Sequence, residues 1–206
     1  MIIQPGLTKI EGFVKITDPV SGEVLVDKKN AIHYENISIA MAQSLSNRTP
    51  EQGGGWIYEM AFGNGGSSVD PTGVITYLPP NTTGQNADLY NETYFKVVDD
   101  NSAANTDPAN NKMTVLHTSG TVYTDILVTC LLDYGEPIGQ QAFDNSTNFN
   151  GEFVFDELGL KCWNGSATNL RLITHVIFHP VQKSLNRQIQ IDYTLRIQTL
   201  TNLSAA

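Results

Sequence analysis

The stretch FVFDELGLKCWNG, residues 153 to 165, sets two carboxylates, Asp156 and Glu157, a few residues from a thiol at Cys162. Paired carboxyls carry out glycoside hydrolysis when they face each other across a gap of roughly 5 to 9 Å. Adjacent side chains of a strand point to opposite faces, so if this stretch is extended the two acids cannot form such a pair with each other. The expected role is structural: acids at a strand end that face solvent, cap a turn or pair with Lys or Arg. His175 and His179 stand in an HxxxH arrangement. On a helix they would be neighbouring metal ligands, but on a strand a rise of ~3.3 Å per residue separates them by ~13 Å, too far to share one ion. His33 and His117 are scattered elsewhere, so no metal site is expected.

GNGGSS, residues 63 to 68, has the look of a phosphate-cradling loop but lacks the Lys of a P-loop and the complete GxGxxG of a dinucleotide site. A turn that needs positive φ is the expected reading. Neither Cys130 nor Cys162 belongs to a CxxC or to a nucleophile signature, and GxSxG and HExxH are absent. Two buried free thiols are expected, with no catalytic residue and no cofactor assigned. The chain reads as a non-enzyme.

The elements that must position these residues follow from the rest of the chain. Its 206 residues suffice for one domain with a real core, and 40% hydrophobic against 16% charged residues is a foldable balance. A formal charge of -9 without a basic cluster argues against a nucleic-acid partner. No apolar run approaches the ~20 residues of a membrane span, and the opening MIIQPGLT has no signal-peptide character, so a soluble chain made in a cytoplasm is expected.

KIEGFVKITDPVSGEVLVDKK alternates, turns through Asp18, Pro19 and Gly22 and resumes, which predicts an N-terminal hairpin. In NISIAMAQSLSN the period changes: Ile37, Ala40, Met41, Ser44 and Leu45 share a helical face and Asn36 is the expected N-cap. WIYEMAFGNGG and GVITYL read as strands. Polar stretches at 99–112 and 135–152 read as surface loops able to contact neighbours. Val122, Ile126, Val128, Cys130 and Leu132 share one strand face. In the closing strand Ile189, Ile191, Tyr193, Leu195 and Ile197 point one way while Gln190, Asp192, Thr194, Arg196 and Gln198 point the other. LRLITHVIFHP can pair antiparallel with it. The expected fold is mainly β: an antiparallel β-sandwich or Greek-key barrel with one short helix, as a hairpin arm over residues 1–30 and a sandwich domain over 31–206.

The order of the segments carries a further signal. A helix opening NAIHYENISIAMAQSL, then IYEMAFGNGG, a polar stretch leading to ETYFKVV, a long alternating strand, FVFDELGLKCW, and last LITHVIFHPVQKS and IQIDYTLRI resembles a class of small tailed-bacteriophage virion proteins. That class shows an ALGTG-like segment after the helix, a later E-x-GLF-like strand and a closing hairpin of the form VxFPPIxK…LxIxWTI. The counterparts here are residues 61–66, 157–160 and 176–197, and the likeness runs over roughly residues 30–200. The chain departs at Lys161, where an aromatic often follows the GL, in its two long loops and in the hairpin before the helix.

The resemblance implies a non-enzymatic structural subunit of the virion, assembled in the bacterial host cytoplasm as a neck, collar or tail-attached homo-oligomer. Its partners would be copies of itself and other virion proteins of the connector, tail or capsid, with no nucleic acid and no membrane. A capsid decoration (cement) protein, or a receptor- or carbohydrate-binding tail module that stacks sugars on Trp56, Trp163 and tyrosines, stands as the alternative. For docking by the hairpin, Phe13, Val14 and Ile16 are the expected apolar side with Val24 and Val26 opposite. Gln190 and Arg196 would mark a partner-facing side of the last strand.

Overall fold

The computed structural model describes residues 7–46, 49–137 and 152–200. Its elements are β1 (Leu7–Thr17), β2 (Val24–Ile32), α1 (Tyr34–Leu45), β3 (Ile57–Gly63), β4 (Ser67–Val69), β5 (Ile75–Tyr77), β6 (Glu92–Val97), β7 (Lys112–Leu116), β8 (Tyr123–Leu132), β9 (Glu152–Ser166), β10 (Asn169–Leu172), β11 (Thr174–Ser184) and β12 (Ile189–Leu200). The expected mainly β fold with one short helix is found, as a strongly curled antiparallel sheet.

The sheet runs β6-β3-β9-β11-β2-β1-β12-β8-β7, with β10 alongside β9 and β4–β5 as a separate small hairpin. Alternation explains the curl. On β12, Ile189, Ile191, Tyr193 and Leu195 are buried while Gln190, Asp192 and Thr194 are only half-buried. The same holds on β8, where Val128, Cys130 and Leu132 face inward and Val122 lies outside the strand and exposed. These strands therefore have one apolar face, and bending the sheet brings Met60, Phe62 and Phe155 from one arm against Cys130, Ile191 and Tyr193 from the other in a single core.

The edges β6 and β7 are consecutive in sequence, so residues 98–111 span the mouth of the curl. That span is tied to itself: Asn105 Nδ2 donates to Asn111 O at 2.8 Å, and Asn111 Oδ1 accepts from Leu131 N at 2.9 Å. Lys96 of β6 crosses to β8, donating to Leu131 O at 2.8 Å and pairing with Glu136 at 2.7 Å.

The N-terminal hairpin is the centre of the sheet rather than an arm. β1 pairs with β12 along its full length, from Leu7 opposite Leu200 to Thr17 opposite Gln190, and β2 pairs with β11. The hairpin thus stands between β11 and β12, which do not pair with each other as their antiparallel patterns suggested. Both runs were matched to the right kind of neighbour but to the wrong one. Arg187, in the turn between β11 and β12, holds the turn of the hairpin by Asp18 at 2.8 Å and Glu23 at 3.1 Å.

Helix α1 presents Ile37 and Ala40 to the core, as its period implies. Its cap is His33, not Asn36: the His33 side chain accepts from Asn36 N at 3.2 Å. Asn36 lies in the first turn, fully buried, with Nδ2 donating to Leu172 O at 2.8 Å.

Candidate functional site

The acids that opened the sequence reading lie in the middle of β9, not at its end. Between Ile177 and Val181 the β9–β11 register slips: Glu157 stands opposite Ile177 but Phe155 opposite Val181, so residues 178–180 bulge against Asp156 alone. The core face passes from Phe155 to Leu158, which leaves Asp156 and Glu157 side by side beneath the same glycine loop. Strict alternation predicted opposite faces, and the bulge removes it.

Both acids are spent on backbone N–H groups. Asp156 accepts from Gly66 N at 3.0 Å and Ser67 N at 2.7 Å, and from the Ser67 hydroxyl. Glu157 accepts from Gly65 N, Asn91 N and Tyr90 N at 2.9, 2.8 and 2.9 Å, and from His175 Nε2 at 2.9 Å. Four donors fill the acceptor capacity of a carboxylate. Burial pushes the Glu157 carboxyl up, but His175 and the three backbone N–H groups outweigh it and hold it below the usual range. Asp156 goes the other way: burial, helped by the Glu157 charge, outweighs the bonds from Ser67 and Gly66.

The glycines of 63–66 serve closeness rather than positive φ. A Cβ on Gly63 would sit 2.4 Å from Asn91 O, and one on Gly65 would sit 2.7 Å from Tyr90 Cβ. Only glycine lets this loop and residues 90–91 converge on Glu157.

A second loop, residues 78–91, lies across the outer face of the sheet and is held by buried polar groups at several points. His175 Nδ1 accepts from Asn81 N at 2.8 Å, His33 Nε2 bonds Gly84 O at 2.9 Å, and Asn36 Nδ2 reaches Gln85 O at 3.4 Å. Lys161 pairs with Asp88 at 2.7 Å and with Glu92. Leu89 packs between Ala61 and Leu172. Burial alone would lower the Lys161 ammonium, but Asp88 and Glu92 more than offset that and raise it. Beneath this pair Glu59 is pushed up to about 7, first by burial and then by the Glu92 charge.

This polar layer has little left for catalysis. Because a backbone N–H points at His175 Nδ1, its proton is on Nε2, where it is donated to Glu157, and neither ring nitrogen has a free lone pair to act as a base. His179 is exposed, with Nδ1 against Tyr77 Oη at 3.2 Å, far from the role of His175. Among the described residues no group of three or more His, Cys, Asp or Glu is placed to hold a metal ion. Cys130 and Cys162 are both free and buried, and burial pushes their thiols up to about 12 and about 11.

The residues expected to dock a partner are distributed differently. Val14, Ile16 and Val26 are in the core at 1%, 0% and 8% exposure, while Phe13 and Val24 face outward. Phe13 lies 5.8 Å from the Lys29 ammonium. Gln190 bonds Asp192 on its own strand, and Arg196 forms a two-pronged pair with Asp125 at 2.7 and 2.8 Å over the Tyr123 ring. Trp56 and Trp163 stack on each other at 5.7 Å, and Trp163 Nε1 donates to Pro50 O. Most of the loop over 135–152 falls outside the described residues.

Exposed apolar side chains sit elsewhere. Edge strand β7 shows Val115 and Leu116, and the β4–β5 hairpin shows Val69, Val74, Tyr77 and Leu78 along its length and flanks. Between α1 and β7, Ile37, Met41, Met113 and Val115 line an open apolar cavity of about 380 Å³. Sequence reasoning missed Glu59, Lys161 and His175 as groups that hold the loops over the sheet. The signal was present as single polar residues within apolar runs, IYEMAF, LGLKCW and LITHVIF, which require a polar cover over a buried strand face. Comparison of the chain with protein-family models, with curated proteins and with solved structures finds no match.

Proposed function

We propose that this chain is a non-enzymatic structural subunit that works by assembly: a virion protein of a tailed bacteriophage, in a homo-oligomeric neck, collar or tail-attached ring. The segment order described above is what suggests the phage setting. One structural observation carries the assembly reading. The side chains with chemical capacity, Asp156, Glu157, His175 and Lys161, bind the protein's own loops, whereas the outward parts, edge strand β7 and the β4–β5 hairpin, carry exposed apolar groups. An unpaired strand edge with β-branched residues is a ready acceptor for a strand of a neighbour, and exposed apolar clusters mark interaction surfaces.

The test is immunogold electron microscopy of purified particles with antibody against this chain, beside mass photometry of the isolated protein. Label at the head–tail junction and a discrete oligomer support the reading. Label over the whole head makes the chain a capsid decoration protein instead, and particles that carry no label overturn the virion assignment. Val115→Lys on the exposed edge is expected to shift the oligomer to monomer without changing the melting temperature by more than about 2 °C, since an exposed position away from caps and cores costs little. An unaltered mass distribution would remove β7 from the interface.

A further inference from the structure

We infer that the cavity between α1 and β7 is a binding site for an uncharged, largely hydrocarbon small molecule that brings one hydrogen-bond acceptor to the indole N–H of Trp56. Its volume of about 380 Å³ falls in the range of small-molecule pockets. The extent of the sheet creates it, because the apolar inner face of the curl runs on past the helix. On β12 the inward series continues from Leu195 to Ile197, and Leu195 stands opposite Ile126 of β8. These three side chains and Met113 of the edge strand form one wall of the cavity, and Met41 of α1 and Ile57 of β3 line the rest. The floor is core, with Leu195 and Ile57 buried, whereas Met41, Met113 and Ile126 are only partly covered.

The chemistry of the lining sets the class of ligand. No Asp, Glu, Lys, Arg or His is among the described residues that line the cavity. An ion moved there would lose its hydration without gaining a partner, so the site selects against charged ligands. Trp56 supplies the directional group. It stacks on Trp163 with ring centroids 5.7 Å apart and planes 9° apart. Trp163 Nε1 donates to Pro50 O at 2.8 Å, whereas Trp56 Nε1 is shut off from bulk water and has no acceptor among the described residues. A buried indole N–H usually finds a partner, and one left without keeps the full cost of its desolvation. A carbonyl or ether oxygen on a ligand beside Trp56 removes that cost. Ser44, exposed, marks the mouth.

The occupant is a small molecule rather than a peptide because of where the donor stands. A strand added at the free edge of β7 would hydrogen-bond to the β7 backbone, while Trp56 immediately precedes β3, on the opposite arm of the sheet. Only a ligand that enters the concave space within the curl meets side chains of α1, of both arms and of Trp56 together. Met41 and Met113 come to the cavity from the helix and from the edge strand, and their unbranched, polarizable side chains adapt to the outline of what they enclose. Apolar cavities of this kind take up hydrocarbon readily, since water finds too few partners in them. The site uses the interior of the curl and not the edge of β7, so it does not depend on the assembly reading.

Nuclear magnetic resonance of the full chain tests it, by titration with acetophenone, with ethylbenzene, which lacks the carbonyl, and with benzylammonium ion. Acetophenone is expected to shift the Met41 and Met113 methyl signals saturably and to move the Trp56 indole N–H downfield while that of Trp163 stays in place. Ethylbenzene is expected to shift the same methyls without moving the Trp56 N–H, and to bind about fivefold to tenfold more weakly for want of one neutral hydrogen bond. Benzylammonium is expected not to bind. Trp56→Phe keeps an aromatic ring in the stack and removes the donor, so it is expected to erase the preference for acetophenone over ethylbenzene. If that variant does not fold, the three probes on the wild type decide alone. Absence of a saturable methyl shift with either neutral probe overturns the inference, and so does equal affinity of the wild type for the two. A Trp56 N–H that is already hydrogen-bonded in the chain without probe, and that acetophenone does not move, overturns it as well and gives the cavity to a cover supplied by the protein itself.

Discussion

At Glu157 four donors from three segments converge on one buried carboxylate. Glu157→Ala strands Gly65 N, Tyr90 N and Asn91 N and the His175 ring together. Unsatisfied buried donors are expensive, so the variant is expected to lose about 3 kcal/mol or more of stability, read from the urea midpoint. Glu59 makes the opposite case. Its carboxyl is raised to about 7, so the folded state binds a proton that the unfolded chain has released, and stability falls as pH rises from about 4.5 through 7. Glu59→Gln is expected to flatten that part of the pH–stability profile, stabilising the protein near pH 8 by on the order of 1 to 3 kcal/mol and changing little near pH 4. A profile parallel to that of the wild type would mean that Glu59 is ionised throughout.

Glycines and the bulge decide how the elements meet. The loop after β3 reaches Glu157 only because residues 63 and 65 have no side chains where it passes residues 90–91. Gly65→Ala inserts a methyl 2.7 Å from Tyr90 Cβ and 2.8 Å from Asn91 N, so the two segments must separate. A cost of about 1 to 3 kcal/mol is expected, seen as a lower melting temperature, with faster amide exchange at 90–91 than at β12. The strands themselves were legible: the alternation of Ile189, Ile191, Tyr193 and Leu195 placed the core face correctly. Asp156 and Glu157 were not: the apolar phase of β9 changes between Phe155 and Leu158, but the slip opposite residues 178–180 that sets both acids side by side arises from pairing with β11. The helix face was likewise legible at Ile37 and Ala40. Its cap was misplaced by three residues, since a histidine capping through Nδ1 is outside the usual Ser, Thr, Asp and Asn signal.

For the whole molecule the decisive feature is the position of β1–β2 between β11 and β12. A peripheral arm could be removed without harm to the rest. Here, deleting residues 1–30 removes β1 and most of β2, exposing the long edge of β12 and taking Val14, Ile16 and Val26 from the core. The truncated chain is expected to show no cooperative thermal transition by circular dichroism, because one apolar face of the curl can no longer close. A cooperative transition near the full-length melting temperature would show that the remaining strands can close the sheet without the hairpin.

The amino-acid sequence by itself determined the β class, the single helix, the inward faces of β8 and β12 and the absence of recognisable catalytic motifs. All of these are local properties, written in periods of two and 3.6 residues and in the placement of Gly, Pro, Asn and Asp. The tertiary structure alone decided which strands are neighbours and what the polar residues do. The hairpin could find partners anywhere that an apolar strand face was open, and hydrogen-bonded pairing is indifferent to sequence distance. Glu59, Lys161, His33 and His175 could be read as isolated oddities until a loop far away in the chain was laid across them. A buried polar group takes its role from whatever backbone covers it, and that cover is a long-range property of the fold.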